Sequence, residues 1–600
     1  MADSSSIETP KRPAWSRAEW IFLAVLLAVT LLCYLPAAGY EFVFDDRLLI
    51  LQNPQLLSWS FVPQFFREHF IAPVFSSAPA NYYRPLLLVW MLLNRQVWGT
   101  SAVGWHLTAI ILHLLVTAEV FLVARRILAG RFAAGAAAAV FALYPLHVES
   151  VAWVMGMSEP FAAAFLLTAL ICYLRARDFS PRSRIWYGCS ILLYGCALLA
   201  KENMIVLPAI LVAWEWFLSP ASRGATTPHT LVQRAWRSLR PVLPHGFVAV
   251  VYLGVRLVVL GALSHAAIQL PLTTLLATLP RVFASYFRLL VWPVGLSCFY
   301  DVPYVASFAS SGFLLPLLIV ALAVAALGLW GWKSRRAAFA SVWLLVPLLP
   351  LLDLSVFPRG EIVHDRYLYL PSIGFALLVG MALDAIPEKR GKARGELSPR
   401  VIAAGVLLGV LGGATCYYRG FWKNNVTLFA RGVAVAPENN LAANNLANEF
   451  VARGRYEQAV PIYERILARD PDYTMAVYNL GFCYYQLGKL DQAERYLGRA
   501  VTLSPGDPDA LVHLGMTYLK MGRSDLAEPA LRHAIALDPH GRGFHLALGV
   551  VLEQRGKLQD ALKEFRAELA NYPGEAAAAA QIQETERRLR DSPSDGASRR

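Results

Sequence analysis

Residues 480–505, LGFCYYQLGKLDQAERYLGRAVTLSP, decide the fold of the C-terminal part of this chain. The stretch carries a glycine, an alanine and a proline that each recur every 34 residues. The recurring residues are Gly454, Gly488, Gly522 and Gly556, then Ala459, Ala493, Ala527 and Ala561, and Pro437, Pro471, Pro505, Pro539 and Pro573. A fixed period of this length indicates stacked helix–turn–helix units, each burying its apolar face against its neighbours. The sequence therefore predicts an α-solenoid in this region.

The 34-residue period is that of the tetratricopeptide repeat (TPR). We predict four repeats over residues 439–574, a connector over 421–438, and a charged, partly disordered tail over 575–600. Three polar residues occupy equivalent positions in successive repeats: Asn445, Asn479 and His513. Side-chain amides at this spacing suit the backbone of an extended peptide, so we predict a peptide-binding face. A simple polar face is the alternative.

The first two-thirds of the chain has a different character. Hydrophobic residues make up 56% of the whole chain and charged residues only 16%. Long apolar runs alternate with Arg-rich loops, which is typical of a multi-pass helical membrane protein. We predict a cytoplasmic tail over 1–18 and an all-α transmembrane domain over 19–420, with about 11 spans and a first exoplasmic loop over 39–104. The stretches 84–99 and 274–296 carry internal charges and are predicted to lie on the membrane surface as amphipathic helices.

The net charge of +13 is concentrated in short loops on one side of the predicted membrane domain. By the positive-inside rule that side is cytoplasmic, so no nucleic-acid partner is expected. An odd number of spans then puts the repeats on the exoplasmic side. Sparse lysine and abundant Ala, Arg and Leu favour a bacterial inner membrane, with periplasmic repeats. In a eukaryotic cell the repeats would lie in the ER lumen, and Asn425-Val426-Thr427 would match the N-glycosylation pattern.

Ionisable residues cluster at the predicted exoplasmic ends of the spans. Asp45 and Asp46 follow the first span, and two adjacent carboxylates at a membrane exit are costly unless they are used or solvated. Two uses are open: one carboxylate acts as a general base on an acceptor hydroxyl, or the pair holds a divalent ion against a phosphate. The alternative is a solvated turn that caps the next helix.

Three further polar clusters complete this predicted face. His147, Glu149 and Glu159 flank the third and fourth spans and are predicted to form a second acidic wall, with interfacial polar residues as the alternative. Arg366 and Tyr367 begin a later span, where an arginine fork suits a lipid phosphate. The remaining candidate wall residues are Lys201, Glu202, His106, His113 and His364. A neutralised Lys201–Glu202 pair and satisfied core histidines are the alternatives.

The order of these motifs resembles the TMTC-like (transmembrane and TPR repeat-containing) O-mannosyltransferases of the GT-C glycosyltransferase superfamily. The motifs are, in chain order, FDD at 44–46, NP at 53–54, YRPL at 83–86, YPLHVESV at 144–151, KE at 201–202 and RYLYLP at 366–371. The resemblance implies a GT-C-type membrane domain with its active site on the exoplasmic face. It implies the catalytic residues Asp45, Asp46, His147 and Glu149. It also implies a site for the donor's lipid phosphate at Arg366, Tyr367 and Arg84.

The same resemblance implies the chemistry. A sugar, which is mannose in this family, would pass from a polyprenyl-phosphate donor in the membrane lipid to a Ser or Thr of a protein presented by the repeats, in one inverting step. No cofactor is certain, and a divalent metal ion remains open. Two other functions stay open: a non-enzymatic membrane scaffold or adaptor, and a GT-C transferase acting on a lipid or glycan. A plain anchor does not need the acidic clusters.

Overall fold

The computed structural model describes residues 15–72, 81–178, 181–219, 230–358, 360–388 and 397–591. All regular secondary structure in these ranges is helical. The chain divides into two compact units, one ending at Ala436 and the other beginning at Pro437. The predicted all-α class, with a membrane domain followed by a TPR solenoid, is confirmed.

The first unit contains seventeen α-helices within the described ranges, joined in places by short 3₁₀ turns. They are α1 (Arg17–Tyr34), α2 (Val62–Phe65), α3 (Pro85–Trp98), α4 (Ala102–Ile127), α5 (Arg131–Ala142), α6 (Val148–Ala152), α7 (Ser158–Ala176), α8 (Ser183–Ala200), α9 (Leu207–Phe217), α10 (Leu231–Leu239), α11 (Leu243–Leu260), α12 (Leu272–Val291), α13 (Ser311–Lys333), α14 (Arg335–Leu345), α15 (Pro371–Asp384), α16 (Pro399–Arg419) and α17 (Asn425–Val435).

Nine helical segments of the described ranges are long and apolar enough to cross a membrane, or ten if the bent pair of α5 with residues 145–152 counts as one span. The nine are Arg17–Gly39, Ala102–Ile127, Met155–Ala176, Ser183–Ala200, Leu231–Leu260, Leu272–Val291, Ser311–Lys333, Arg335–Leu352 and Pro399–Trp422. The sequence predicted about 11 because it counted α5, α9 and α15 as spans and left out α12. Helices α9 and α15 are the two that fall outside the structure's larger count. These helices have 11 and 14 residues, which is short for an untilted span.

One predicted surface helix differs from the structure. The stretch 274–296 forms α12, a 20-residue helix that is long and apolar enough to span. Its internal arginines, Arg281 and Arg288, led the sequence analysis to a surface position. By contrast α3, within the predicted stretch 84–99, has 14 residues and is too short to cross a bilayer untilted.

Helices α4 and α13 illustrate the two kinds of span in this unit. No residue of α13 is buried, and exposed apolar side chains such as Leu314, Leu322 and Trp332 cover much of its surface. A helix of this kind has to be surrounded by lipid or by another protein. Helix α4 is largely buried and carries His106, His113 and Glu119 on its buried faces. It therefore forms the centre of the bundle and joins the two membrane faces.

The second unit is the predicted solenoid with one additional helix. Its helices are α18 (Asn440–Ala452), α19 (Tyr456–Arg469), α20 (Thr474–Gln486), α21 (Leu490–Leu503), α22 (Pro508–Lys520), α23 (Ser524–Leu537), α24 (Phe544–Gln554), α25 (Leu558–Asn571) and α26 (Ala576–Asp591). At Gly481, Gly515 and Gly549 an added Cβ would meet a core side chain of the paired helix, so glycine permits the close packing. The predicted charged tail over 575–600 contains α26, which packs against α25.

Candidate functional site

The loop that follows α1 has a backbone conformation that is unusual for its residue type. Phe44 has a φ of +54°, in the left-handed region that costs an L-residue about 1–2 kcal/mol. Its N–H donates to the side-chain oxygen of Asn425 at 2.8 Å, and its ring packs edge-on against Trp153 and Phe429 at 5.7 and 5.9 Å. The surrounding structure therefore fixes the chain direction immediately before Asp45.

Asp46 is buried, and its carboxylate accepts hydrogen bonds from two different loops. Its Oδ2 accepts a hydrogen bond from the Val43 N–H at 3.0 Å, and its Oδ1 accepts one from the Met155 N–H at 2.9 Å. Burial raises the pKa of Asp46 to about 8, and these N–H donors oppose the rise. Both oxygens are engaged, so Asp46 connects the first loop to the loop before α7.

Asp45 has a different environment. Its side chain reaches solvent, and no described residue donates a hydrogen bond to its carboxylate. Desolvation by the surrounding protein raises the pKa of Asp45 to about 6, while the positive charge of Arg366 lowers it. Of the two adjacent aspartates, Asp45 is the one available to a substrate.

The geometry also bears on a metal ion. Each Asp46 oxygen already accepts a backbone N–H, whereas the Asp45 carboxylate accepts no hydrogen bond from a described residue, so the two aspartates would not contribute equally to a cation site. Within the part of the chain that the structure describes, no group of three His, Cys, Asp or Glu side chains converges as metal ligands would.

Glu149 and Arg366 form a buried ion pair beside Asp45. Glu149 Oε2 accepts from the Arg366 backbone N–H at 2.9 Å, and Oε1 accepts from the Arg366 guanidinium. Burial lowers the pKa of Arg366, but the Glu149 charge outweighs it and holds the pKa well above its usual value. The guanidinium lies over the Trp153 ring at 5.4 Å. Its Nε and Nη2 have no acceptor among the described residues, so part of the fork remains available.

Two acidic residues near Arg366 were absent from the predicted set. Glu361 lies within the electrostatic reach of Arg366 and Asp45, and burial raises its pKa. Asp365 accepts a hydrogen bond from the Tyr300 hydroxyl at 2.5 Å, and burial raises its pKa well above the usual value. Both residues lie in the polar stretch before Arg366, which was the signal that could have identified them.

The second group of predicted residues forms two further ion pairs. Arg84 binds Glu202 through both edges of its fork, Nε to Oε2 at 2.8 Å and Nη2 to Oε1 at 2.5 Å. Lys201 Nζ lies 2.5 Å from Glu159 Oε1, and both side chains are buried. The sequence alternative of a mutually neutralised Lys201–Glu202 pair is wrong, because each residue pairs with a partner on another segment.

A cavity of about 250 Å³ opens beside these pairs. Its polar lining includes Tyr82, Lys201, Glu202, Arg256 and Tyr367. Burial raises the pKa of Tyr367, and the charges of Arg366 and Arg84 oppose that rise. Tyr367 therefore lies between the Arg366 pair and the Arg84 pair, and it joins the two groups into one polar region.

The predicted histidines lie mostly in the packed interior. His147 Nε2 is 2.8 Å from Ser372 Oγ, and its ring packs on Tyr369 at 4.6 Å. His113 Nδ1 is 2.9 Å from the Tyr369 hydroxyl. His106 is fully buried on α4, with its ring 6.3 Å from that of Tyr40. These contacts connect helices and leave the histidines without access to solvent.

His364 is the predicted histidine that lies next to the ion pair. Its Nδ1 is 3.9 Å from Glu149 Oε1. Burial and the Arg366 charge hold the pKa of His364 well below its usual value, so the ring is neutral. It forms part of the wall around Glu149.

The predicted peptide-binding residues lie in the second unit. Asn479 Nδ2 donates to Asn448 Oδ1 at 2.9 Å, and the His513 ring packs edge-on against Phe482 at 4.8 Å. Asn445 is half-buried. Two of the three side chains thus have partners within the solenoid, and their peptide-binding role stays a prediction.

Comparison with known proteins finds relatives over most of the chain and a family match for its repeats. The tetratricopeptide repeat family model matches residues 428–508 and 513–576. Protein O-mannosyl-transferase TMTC3 of Mus musculus is 26% identical, over 71% of this chain and 48% of its own length. Protein O-mannosyl-transferase Tmtc1 of Drosophila melanogaster and TMTC4 of Homo sapiens are each 26% identical, over 75% and 74% of this chain and 62% and 64% of their own lengths. The chain is similar to these TMTC proteins. It spans about half to two-thirds of the length of the curated relatives it matches.

Solved structures match the repeats. One is YrrB, described as a TPR protein with an unusual peptide-binding site, at 24% identity over 28% of this chain and 85% of that chain, with a TM-score of 0.25. Another is TTC0263, a thermophilic TPR protein of Thermus thermophilus, at 24% identity over 31% of this chain and 96% of that chain, with a TM-score of 0.25.

The connector that precedes the repeats has features of a partial repeat. The family match begins inside α17, and Gly420 and Pro437 stand one 34-residue period before Gly454 and Pro471. At the position of the buried repeat alanine Ala459, α17 carries Asn425, which binds Phe44. Asn425 is buried, so in this fold its side chain is not accessible to a glycosylating enzyme, although its sequence matches the pattern.

We expect the N425A variant to lose the acceptor for the Phe44 N–H. An unsatisfied buried donor costs about 1–3 kcal/mol, and a displaced Asp45 should slow any reaction that depends on it by about tenfold or more. N425D keeps an acceptor and should restore most of the rate. The measurements are the thermal midpoint of the purified protein and the rate of sugar transfer.

The matched control is N424A. Asn424 caps α17 by accepting from the Thr427 N–H, so its loss should cost about 1 kcal/mol without touching Phe44. Equal rates for N425A and N424A at equal stability would contradict a positioning role for Asn425.

Proposed function

We propose that this chain is a membrane glycosyltransferase that moves mannose from a polyprenyl phosphate to a Ser or Thr hydroxyl of a protein. The observation that carries the proposal is that a carboxylate and a guanidinium, both available to a substrate, lie close enough for their charges to interact. No described residue donates a hydrogen bond to the Asp45 carboxylate, and the positive charge of Arg366 acts on it. The Arg366 guanidinium has N–H donors that no described residue accepts. A base beside a phosphate-binding cation is what such a transfer requires.

The proposed reaction is a single displacement. The Asp45 carboxylate takes the proton of the acceptor hydroxyl, and the hydroxyl oxygen forms a bond to the anomeric carbon. The bond from that carbon to the phosphate oxygen breaks, and the polyprenyl phosphate leaves with the electron pair. Arg366 stabilises the charge that develops on this phosphate, and the sugar configuration inverts.

We propose a smaller set of donor-binding residues than the resemblance implied. The fork of Arg84 is already filled by Glu202, so the proposal assigns the phosphate to Arg366, with Tyr367 beside it. Arg84 and Lys201 then belong to the wall of the neighbouring cavity. Glu149 holds Arg366 in place, and Asp46 holds the loop of Asp45. His147 packs against α15 and takes no chemical step in this proposal.

The proposal includes the acceptor and the side of the membrane. The connector helix α17 packs on the loop that carries Asp45, so the chain leaves the first unit next to the candidate site. This supports repeats that lie on the exoplasmic side and present a protein acceptor. We propose a bacterial inner membrane with periplasmic repeats, or the ER membrane with lumenal repeats if the cell is eukaryotic.

The test is transfer by the purified full-length protein in nanodiscs. Polyprenyl-phosphate mannose with a labelled sugar is supplied with a mixture of Ser- and Thr-containing polypeptides, and products are identified by mass spectrometry. Label on a hydroxyl of the polypeptide supports the proposal. Label only on an added lipid or glycan favours the other transferase function, and no transfer with any acceptor favours the scaffold.

The pH dependence follows from Asp45. Because only the ionised form accepts a proton, we expect kcat/KM to rise about tenfold per pH unit below pH 6 and to level off above it. The folded pKa lies above the ordinary 3.8, so the folded protein binds more protons than the unfolded chain between these values. Stability should therefore fall as pH rises from 3.8 to about 6. A rate that is flat across this range would contradict Asp45 as the base.

A further inference from the structure

A second site lies on the face of the first unit opposite Asp45. Helix α4 has its first turns near Tyr40 and its last turn at this opposite face. There the ends of α1, α4, α5, α7 and α14 enclose a cavity of about 530 Å³. Five arginines and one acid contribute its charge: Arg125, Arg126, Arg131, Arg175, Arg336 and Asp178. A cavity of this size takes a small ligand or a lipid headgroup.

The arginines of this cavity outnumber the acidic residues that pair with them. Asp178 binds the Arg126 guanidinium, and yet the Nε of Arg126 is buried without a partner among the described residues. Glu19 lies 2.8 Å from Arg125 and 3.8 Å from Arg131. A buried donor without an acceptor costs free energy, which a bound anion would recover.

Two other arginines of the cavity lack an acidic partner within the described ranges. Among the residues that the structure describes, neither Arg175 nor Arg336 forms an ion pair, and Arg175 lies over the Trp186 ring at 4.9 Å. Two carboxylates therefore face five guanidinium groups in this region. The surplus of positive charge selects an anion, and arginine forks match phosphate oxygens in particular.

An apolar groove adjoins the arginine cavity. It has a volume of about 450 Å³, lies between α1, α5 and α16, and shares Arg131 with the cavity. Phe22, Phe132 and Leu408 line it, and Gly405 leaves open space in its wall. A free phosphate would use only the cavity, whereas a molecule with a charged head and a hydrocarbon chain fits both.

We propose that the cavity and the groove form one binding site for an anionic phospholipid. The phosphate of the headgroup binds the arginines, with Arg126 Nε as one donor, and an acyl chain lies in the groove beyond Arg131. Basic pockets between helix ends at a membrane surface bind anionic lipids by this chemistry. The site is separate from the proposed transfer site, so lipid binding and sugar transfer can be measured independently.

The headgroup is tested with R175Q/R336Q in the full-length protein. Native mass spectrometry would count phosphatidylglycerol retained from nanodiscs, with phosphatidylcholine as the neutral lipid. An arginine near the surface contributes about fivefold in affinity, so the pair should weaken phosphatidylglycerol binding about 25-fold. The control is R184Q/R335Q, which removes the same charge from exposed arginines outside the cavity. Equal binding by both variants overturns the proposal and leaves the arginines a topological role only.

The acyl chain is tested with G405L, whose side chain would fill the groove, against G409L on the same helix outside the groove. We expect G405L to weaken phosphatidylglycerol binding at least tenfold and G409L to leave it unchanged. Inorganic phosphate tests whether the ligand is a soluble anion instead of a lipid. If phosphate alone displaces the lipid equally from wild type and G405L, the ligand is a soluble anion and the assignment to a lipid is overturned. Unchanged size-exclusion profiles check that every variant is folded.

Discussion

The D45N variant should lose nearly all sugar transfer while it folds normally. Removing a general base lowers a rate by about 10²–10⁴-fold, and an amide cannot accept the hydroxyl proton. The Asp45 side chain reaches solvent and has no hydrogen bond to a described residue, so its replacement by an isosteric amide breaks no protein contact. The measurement is kcat/KM for transfer from labelled polyprenyl-phosphate mannose, with the thermal midpoint of each variant recorded beside it.

Two neighbouring acids serve as controls for D45N. E41Q removes a charge from the same loop, where Glu41 pairs with Arg47 at the exposed surface, and it should leave the rate within about threefold because such pairs contribute little. D46N replaces a carboxylate whose two oxygens both accept backbone N–H groups. It should lower the thermal midpoint, and the folded fraction should react faster than D45N.

The opposite pattern would remove Asp45 from the mechanism. If D46N abolished transfer in folded protein and D45N left it intact, the acid that contacts the substrate would be Asp46, and the loop would have to rearrange to expose it. Intact transfer in both variants would place the base elsewhere, and Glu361 would be the next candidate because its charge interacts with those of Arg366 and Asp45.

Much of the fold was predictable because its signals are local and periodic. The 34-residue spacing of Gly454, Gly488 and the later glycines fixes the repeat length, and the structure places a helix pair in each repeat. The spans follow from apolar length, and the exceptions are physical. Helix α12 carries arginines inside an otherwise apolar helix, and α15 is apolar but has only 14 residues, so composition alone did not separate spans from other helices.

The candidate site was predictable as a set of residues but not as a set of partners. Sequence spacing identified Asp45, Glu149 and Arg366, and the structure brings their segments together. The pairing of Glu149 with Arg366 joins residues 217 positions apart, which no local pattern reveals. The difference between Asp45 and Asp46 also depends on tertiary structure, because one turn of backbone directs one carboxylate to solvent and the other to two N–H groups.

Asn425 is a further residue whose role could not be predicted from its local sequence. Its sequence context, Asn425-Val426-Thr427, is typical of a surface glycosylation acceptor. In the structure its side chain binds the Phe44 N–H across 381 positions and helps to hold a left-handed residue. A short motif reports chemistry that a residue can undergo, whereas burial decides whether an enzyme can reach it.

The second large effect is expected for E149Q, and it is a loss of stability. Glu149 is 1% exposed and the Arg366 side chain 17%. Breaking a buried ion pair leaves a charge without compensation and costs about 3–5 kcal/mol. Arg366 would then be free to move away from Asp45, so transfer should fall as well. Fluorescence-detected size exclusion after heating gives the thermal midpoint, with E41Q as the matched exposed pair.

A double variant separates the two roles of this ion pair. E149L/R366M replaces both charges with apolar side chains of similar volume, and such replacements of buried pairs are often neutral or stabilising. We therefore expect the double variant to recover most of the thermal midpoint lost in E149Q. Transfer should stay absent, because the cation that stabilises the leaving phosphate is gone. Recovery of both stability and transfer would show that Arg366 does no more than pair with Glu149, and the phosphate site would then have to be sought around Lys201 and Arg256 in the neighbouring cavity.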